Sequence, residues 1–518
     1  MNQEILKTIK ERGLLVEREI FDLIDSFNDI NTAKDFLTNL ERFSGQKLIT
    51  KSVLNKNFEY VKSIVNNLPN ESKSYVGNII IKLGLSLEIR KEERVVDNTL
   101  RKQNFQIFCA DTKNEKKLEV SDFTYNFRAR YQQLQRILMF RPELQNLVSI
   151  NKISGDRQAL SIIGIVSEKR VTKNKNMIIK FEDLTGEISA LVKFDKEEVF
   201  EKAGELQLDD VVGVKASGNR DILFVQDIYF PDAFIHNKVK FDEDVAIAFL
   251  SDVHAGSCKH LGKNFERFLD WINSDDETAK KIKYIFFTGD NVDGVGIFPG
   301  QENFLELKSM KEQYCLLASY LKRIPKNINI FMCPGQHDAT RVAAPQPIID
   351  REYAAALYEI ENLTLVTNPA MVKLIEGDKE FKVLLYHGAS LHTFINEIKE
   401  LRELKAHKTP AKAVKHMLKR RHLAPTHSSV VYIPNRDKDP LIISEVPDVI
   451  ATGEIHRSDI ESYNGILIIT GSCWQGQTDF EEKTGNFPDP AKVPVLNLKT
   501  RELKVFDFGD EGEVKNAG

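Results

Sequence analysis

Short apolar runs that stop abruptly at turn residues mark the second half of the chain. The run at 245–250 breaks at Ser251-Asp252, that at 284–287 at Thr288-Gly289-Asp290, that at 329–332 at Cys333-Pro334-Gly335, and that at 383–386 at His387. Runs of this length bounded by turn residues predict buried strands. In layered α/β folds ligands gather at the carboxyl ends of strands. The polar residues that end these runs are therefore the first candidates for chemistry.

Upstream the texture changes. Between about 154 and 232 the apolar segments at 160–166, 176–181, 188–192, 211–214 and 222–225, with a turn at Asp183-Leu184-Thr185-Gly186, predict a five-stranded OB-fold barrel. Its aromatic residues are few, chiefly Phe181, Phe194 and Phe224, and suit a core as well as a base-stacking face. A packing and interface role is expected of it. Before the barrel, 125–147 predicts an amphipathic helix with Phe127, Tyr131, Leu134, Ile137 and Leu138 on one side. From residue 1 to about 83 the period is helical, with Leu14, Ile20, Leu23 and Ile24, then Leu37, Leu40 and Phe43 after an Asn31-Thr32 start signal. The expected organisation is an N-terminal helical domain at 1–90, a polar linker at 91–124, a helix plus barrel at 125–240 and a motif-bearing domain at 241–518. The fold class is α/β, α+β overall.

Composition narrows the possibilities without naming a chemistry. A length of 518 residues suits about three domains, and 42% hydrophobic with 29% charged residues fits a soluble globular protein. No apolar run approaches membrane-spanning length. The opening Met1-Asn2-Gln3-Glu4-Ile5 lacks the basic start and apolar centre of a signal peptide. A cytoplasmic, nucleoid-associated protein is expected. The five cysteines, Cys109, Cys258, Cys315, Cys333 and Cys473, form no Cys-x-x-Cys pair, which argues against a zinc ribbon or disulfide framework. They are expected to be buried small hydrophobes.

A net charge of −4 does not suggest a nucleic-acid partner, but charge is unevenly placed. From 399 to 422 lie Lys399, Arg402, Lys405, Lys408, Lys412, Lys415, Lys419, Arg420 and Arg421 against only Glu400 and Glu403. Phosphate contacts need such a local surface rather than a basic whole. The stretch lies between His387 and the last motif below, so it is expected to overhang the site or a neighbouring subunit. Lys415, Lys419, Arg420 and Arg421 are the candidate DNA contacts.

Five stretches follow one another at or near strand ends: Ser251-Asp252-Val253-His254, Gly289-Asp290-Asn291-Val292-Asp293, Gly335-Gln336-His337-Asp338, Tyr386-His387-Gly388 and Gly453-Glu454-Ile455-His456. Alone, each is an ordinary turn or core histidine. Together they supply what a phosphoesterase needs. Hydrolysis of a phosphate ester requires a nucleophile made from water and a sink for phosphoryl charge, and two divalent cations about 3.5–4 Å apart provide both. Holding such a pair takes a bridging carboxylate, several imidazoles and amide or carboxylate oxygens.

On these motifs the segment from about 245 to 498 resembles the calcineurin-like metallophosphoesterase superfamily, whose signature runs Asp-x-His, Gly-Asp-x-x-Asp, Gly-Asn-His-Asp, a lone His and Gly-His-x-His. The stretches at 332–339, 418–426, 474–478 and 490–495 are similar to the small-subunit family of the archaeal family-D DNA polymerases, a likeness covering most of the chain after about 125. The resemblance implies a β-sandwich with flanking helices and a 3′–5′ DNA exonuclease. Asp252, His254 and His456 would hold a first metal, Asp290 would bridge, and His387 with Gln336 would hold the second. His337 would sit beside the scissile phosphate, and Asp338 would orient it.

Two positions depart from that pattern. Gln336 stands for the usual Asn, and Glu454 stands where a second-metal imidazole is expected. Glu454 is harder and charged, favouring Mg or Mn over softer metals, with Fe or Zn as the remaining options; it could equally mark a lost second metal. The implied partners are a large polymerising subunit, the 3′ end of DNA and a sliding clamp, with no membrane. Two rival expectations are a scaffold subunit with a degenerate site and a general metallophosphatase.

Overall fold

The computed structural model describes residues 2–17, scattered positions between 20 and 49, 104–112 and 117–509, and it divides near residue 102 into two units. In the first unit the helix Asn2–Glu11 forms with Ile5 and Ile9 buried. Ile20, Ile24 and Leu37 are buried as the helical period requires. The unit is not purely helical, because Leu15–Val16 pairs in parallel with Leu48–Ile49. Leu23, the Asn31-Thr32 start signal, Leu40, Phe43 and the expected linker from 91 to 103 lie outside the described residues.

The apolar runs become the inner strands of two six-stranded sheets. The first has the order Leu363–Leu365, Asn329–Cys333, Ile282–Thr288, Ala246–Leu250, Lys492–Asn497, Leu503–Asp507. The second has the order Asp459–Tyr463, Ile466–Thr470, Val449–Thr452, Lys379–Leu385, Ala370–Glu376, Phe105–Cys109. Ala246, Ala248 and Leu250 share a core with Phe265 and Phe268 of helix Gly262–Ile272 and Leu317 of helix Met310–Leu321. Ile247 and Phe249 belong instead to the core between the sheets, with Val383, Leu385, Val449 and Ile469. A strand covered on both faces loses the alternation of a half-exposed one, which is why these runs read as continuously apolar. On the far side of the second sheet, Leu384, Ile450 and Ile468 pack with Phe394, Met417 and Leu418 from the segment after His387. The result is the expected α/β sandwich with flanking helices.

Upstream of the sandwich, the strands Gln158–Val171, Met177–Glu182, Glu187–Val192, Leu223–Tyr229 and Val211–Gly218 close a barrel in that order. Its core holds Ile162, Val166, Ile179, Val214 and Val225, together with Phe181. Phe194 is exposed and Phe224 lies under the Arg157 guanidinium, 5.4 Å from the ring centre.

Two expected boundaries change. Within the supposed linker, Phe105–Cys109 forms an antiparallel edge strand beside Ala370–Glu376, a five-residue signal masked by its charged surroundings. The helix runs Val120–Leu138 and not 125–147: Glu119 and Asp122 cap its start reciprocally, and Pro142 bars continuation because the residue before proline avoids the helical region. Cys333 and Cys473 are buried, but Cys109, Cys258 and Cys315 are exposed, contrary to expectation. Among the described residues no helix is long and apolar enough to cross a membrane.

The basic stretch is also corrected. Helix Ala411–Arg420 buries Ala413, Val414, Met417 and Leu418, and its last turn meets the barrel. Arg420 Nε donates to Asp210 Oδ1 at 2.9 Å, and the Arg421 guanidinium donates to the carbonyls of Ile443 and Ser444 at 2.6 and 2.8 Å. Lys419 pairs with Glu205 and covers the Phe230 ring. Three of the four candidate DNA contacts are thus engaged inside the protein, and only Lys415 is exposed. Composition cannot distinguish a buried, paired guanidinium from a surface one. Burial lifts the Asp210 carboxyl above its usual range against the pull of Arg420. Removing one partner of such a pair strands the other, so Asp210→Ala is expected to lower stability by about 3–5 kcal/mol. Lys415→Ala should change it by less than about 0.5 kcal/mol. Urea denaturation of the two variants checks this, and equal small effects would refute the structural assignment.

Candidate metal centre

Each ligand loop leaves the carboxyl end of a strand and crosses its neighbours through the backbone. Asp252 N–H donates to Gly289 O at 3.0 Å and His254 N–H to Asp290 O at 3.1 Å. Asp252, His254, Asp290, Glu454 and His456 all have left-handed backbones, with φ of 50°, 46°, 47°, 74° and 56°. Non-glycine residues held in sparsely populated conformations cost on the order of 1–3 kcal/mol each and collect at functional sites. Two motif glycines explain themselves by close approach. A Cβ on Gly335 would stand 2.1 Å from Asp290 Oδ1, and one on Gly453 2.5 Å from Asp252 Oδ2.

The five loops bring the side chains together in overlapping clusters. Asp252, His254 and His456 form one, and Asp252, Asp290 and His387 another, each with its ligand atoms within 4.8 Å of one another. Asp252 belongs to both clusters, and Asp290 Oδ2 lies 3.2 Å from His387 Nε2 and 3.9 Å from His337 Nε2. Gln336 Nε2 donates to Glu454 Oε2 at 2.7 Å, and Glu454 Oε2 lies 3.1 Å from His387 Nε2. Glu454 therefore turns an oxygen toward His387 and Gln336.

Hydrogen bonds at the outer nitrogens fix the tautomers. His254 Nδ1 lies 3.1 Å from Asp293 Oδ1, His456 Nδ1 2.9 Å from Glu481 Oε1, and His387 Nδ1 2.6 Å from Thr288 O. Ionised carboxylates and carbonyls only accept, so each Nδ1 carries a hydrogen, and Nε2 is the atom each ring turns inward, as a lone pair when the ring is neutral. Those nitrogens face one another or face oxygens. His254 Nε2 and His456 Nε2 are 3.1 Å apart, and His387 Nε2 is 3.2 Å from Asp290 Oδ2. Such contacts are repulsive unless a proton or a metal cation lies between them. Two ligands, each about 2.0–2.1 Å from a common ion, stand roughly 3–3.4 Å apart at right-angled to tetrahedral geometry. Asp252 Oδ2, Gln336 Oε1 and His387 Nε2 are buried without an aligned hydrogen-bond partner, which leaves them available to one. The residues present fit divalent metal binding.

Burial opposes charge at the centre, yet the imidazoles of His387 and His337 hold Asp290 well below the usual carboxylate range. Burial likewise works against charge on His387, and the facing Asp290 overrides it to raise the imidazole. Three orienting residues were not among the predicted ligands. Asp293, which holds His254, is the last residue of the Gly-Asp-x-x-Asp motif and was legible there. Glu481 behind His456, and Gln475, which donates to Asp293 Oδ1 at 2.9 Å, carried no signal in the sequence beyond their neighbourhood.

Asp338 does not orient the His337 ring. Its Oδ1 accepts from Tyr314 Oη at 2.9 Å and its Oδ2 from Gly335 N and Asn291 Nδ2, both at 2.9 Å. The ring is set by Asp293, whose carbonyl accepts from His337 Nδ1 at 2.6 Å. Asp338 is the post around which the Gly335–Asp338 turn is built, and burial, then Asp290, push its carboxyl up to about 6. Tyr314→Phe leaves that oxygen and the Ala339 amide unpaired, so it is expected to cost about 1–3 kcal/mol. An unshifted denaturation midpoint would show that the contact does not hold the turn.

The family described as the B subunit of DNA polymerase alpha/epsilon matches residues 247–460. A Methanothermobacter thermautotrophicus protein named DNA polymerase II small subunit is 36% identical over 75% of this chain and 80% of its own length. Its Pyrococcus horikoshii namesake is 32% identical over 95% of this chain and 80% of that protein. The Pyrococcus furiosus namesake is 35% identical over 76% of this chain, and the match spans only 65% of that protein. Among solved structures, an archaeal phosphodiesterase aligns over 51% of this chain and 99% of its own at 14% identity with a TM-score of 0.26.

Proposed function

The chain belongs to the family of DNA polymerase II small subunits, and from that premise we propose that it is the metal-dependent 3′–5′ exonuclease subunit of a replicative polymerase whose synthetic site lies on a larger partner chain. The observation that supports the reading is the convergence of Asp252, His254 and His456, and of Asp252, Asp290 and His387, with His254 Nε2 and His456 Nε2 only 3.1 Å apart in a buried pocket.

Asp252, His254 and His456 would hold one ion; Asp252, Asp290, His387, Gln336 through its free amide oxygen, and Glu454 would hold the other. Two divalent cations supply an activated water and neutralise charge on the phosphoryl oxygens. Manganese or magnesium suits this oxygen-rich set.

The chain's own groups do the rest. Asp293 and Glu481 keep the Nε2 atoms of His254 and His456 turned inward. His337 has its Nδ1 hydrogen committed to the Asp293 carbonyl, and its Nε2 is 3.9 Å from Asp290 Oδ2. It would meet a phosphoryl oxygen or the departing sugar oxygen of the 3′-terminal nucleotide. Lys415, whose ammonium lies 5.5 Å from the Tyr463 ring centre, is the one exposed cation of the four candidates and would approach the strand. The barrel, which we read as an OB fold, would serve mainly as a packing partner.

Release of nucleotides from 3′-labelled single-stranded DNA in manganese tests the reading. Wild type is expected to degrade the strand, Asp290→Asn to lose activity on the order of a thousandfold, and His337→Ala about 10²–10⁴-fold. No release by wild type would make the chain a scaffold; hydrolysis of phenyl phosphate esters without DNA cleavage would make it a general phosphatase.

A further inference from the structure

Glu454 has a second carboxylate oxygen, and it faces an imidazole outside the ligand set. Oε2 looks into the centre, while Oε1 lies 3.5 Å from His392 Nε2. His392 is the second residue of helix Leu391–Glu397, which follows directly on the His387 loop and is anchored by buried Leu391, Phe394 and Ile395. On its other side His392 Nδ1 is 3.3 Å from His407 Nε2, with ring centres 5.4 Å apart. His407 comes from the basic segment that follows, and both rings are half-buried at the edge of the site.

The direction of this chain of contacts follows from what each atom can do. An ionised carboxylate only accepts, so His392 Nε2 carries the hydrogen; in the neutral ring Nδ1 is then a lone pair that takes the His407 Nε2 hydrogen. His407 therefore donates to His392, and the His392 Nε2 hydrogen faces Glu454 Oε1 across a 3.5 Å ion-pair contact.

We propose that His392 is a positioning residue for the second metal: it tethers Glu454 by Oε1 so that Oε2 alone faces the ion, and His407 fixes its tautomer. This rests on the metal-centre reading above. Gln336 Nε2 already donates to Glu454 Oε2, and a second contact on Oε1 restricts a flexible side chain further, to one rotamer and one-oxygen ligation. Glu454 occupies the place of an imidazole in the family pattern, and here the imidazole stands one layer further out, behind the carboxylate. Outer partners that orient a ligand are worth about 10–100-fold in metal affinity.

Manganese titration of the full chain, by calorimetry and by the electron paramagnetic resonance of the bound ion, tests this without assaying catalysis. Wild type is expected to bind two ions. His392→Ala should weaken one of them about 10–100-fold and leave the other, and His392→Gln, whose amide can still donate, should restore most of the loss. His392 is half-exposed, so both variants should melt as wild type does. Unchanged binding by His392→Ala would overturn the proposal, as would a Gln variant no better than Ala or an equal loss at both ions. Wild type that binds no manganese would instead bring down the metal-centre reading itself, and this proposal with it.

Discussion

Ring nitrogens and carboxylate oxygens converging on one buried point are the constraint around which this molecule is organised. His254, His456, Asp252, Asp290 and His387 present them to one another at hydrogen-bonding distance, with the outer imidazole hydrogens already committed to Asp293, Glu481 and Thr288. Five residues in left-handed conformations and two glycines at near-contact with carboxylates hold that arrangement. No such assembly is stable on its own account. The two sheets, each clamped by helices on its outer face, supply the rigidity that keeps the loops from relaxing.

The segment between His387 and Val449 joins the two ends of this design. Its helix Ala411–Arg420 closes one face of the second sheet with Met417 and Leu418 and locks the barrel through Arg420 and Asp210. Its other residues supply His392 and His407 beside the centre. At its end this lysine- and arginine-rich stretch turns inward, with Arg420 and Arg421 buried, while Lys399, Arg402, Lys405, Lys408 and Lys415 stay exposed.

How much of this could be read in advance depended on whether burial left a mark on residue type. The inner strands were legible because two-sided burial yields unbroken apolar runs such as 245–250, and the convergence of Asp252, His254, Asp290, His387 and His456 because they end such runs in motif order. The strand Phe105–Cys109 was hidden because an edge strand needs only a few apolar residues among charged neighbours. Arg420 and Arg421 were misassigned because pairing with Asp210 and with carbonyls joins residues far apart along the chain, which no local pattern records. The resemblance gave Asp338 the task of orienting His337, but consecutive side chains point apart, and the ring is governed from the neighbouring Gly289–Asp293 loop. Glu454 read as a departure from pattern; in space it still points an oxygen into the centre.

Anomalous diffraction from crystals grown with manganese tests the central claim most directly. The account predicts two peaks, one among Asp252, His254 and His456 and one among Asp252, Asp290 and His387, with the Asp252 carboxylate touching both. No peak, or a single peak with Glu454 turned away from it, would contradict it.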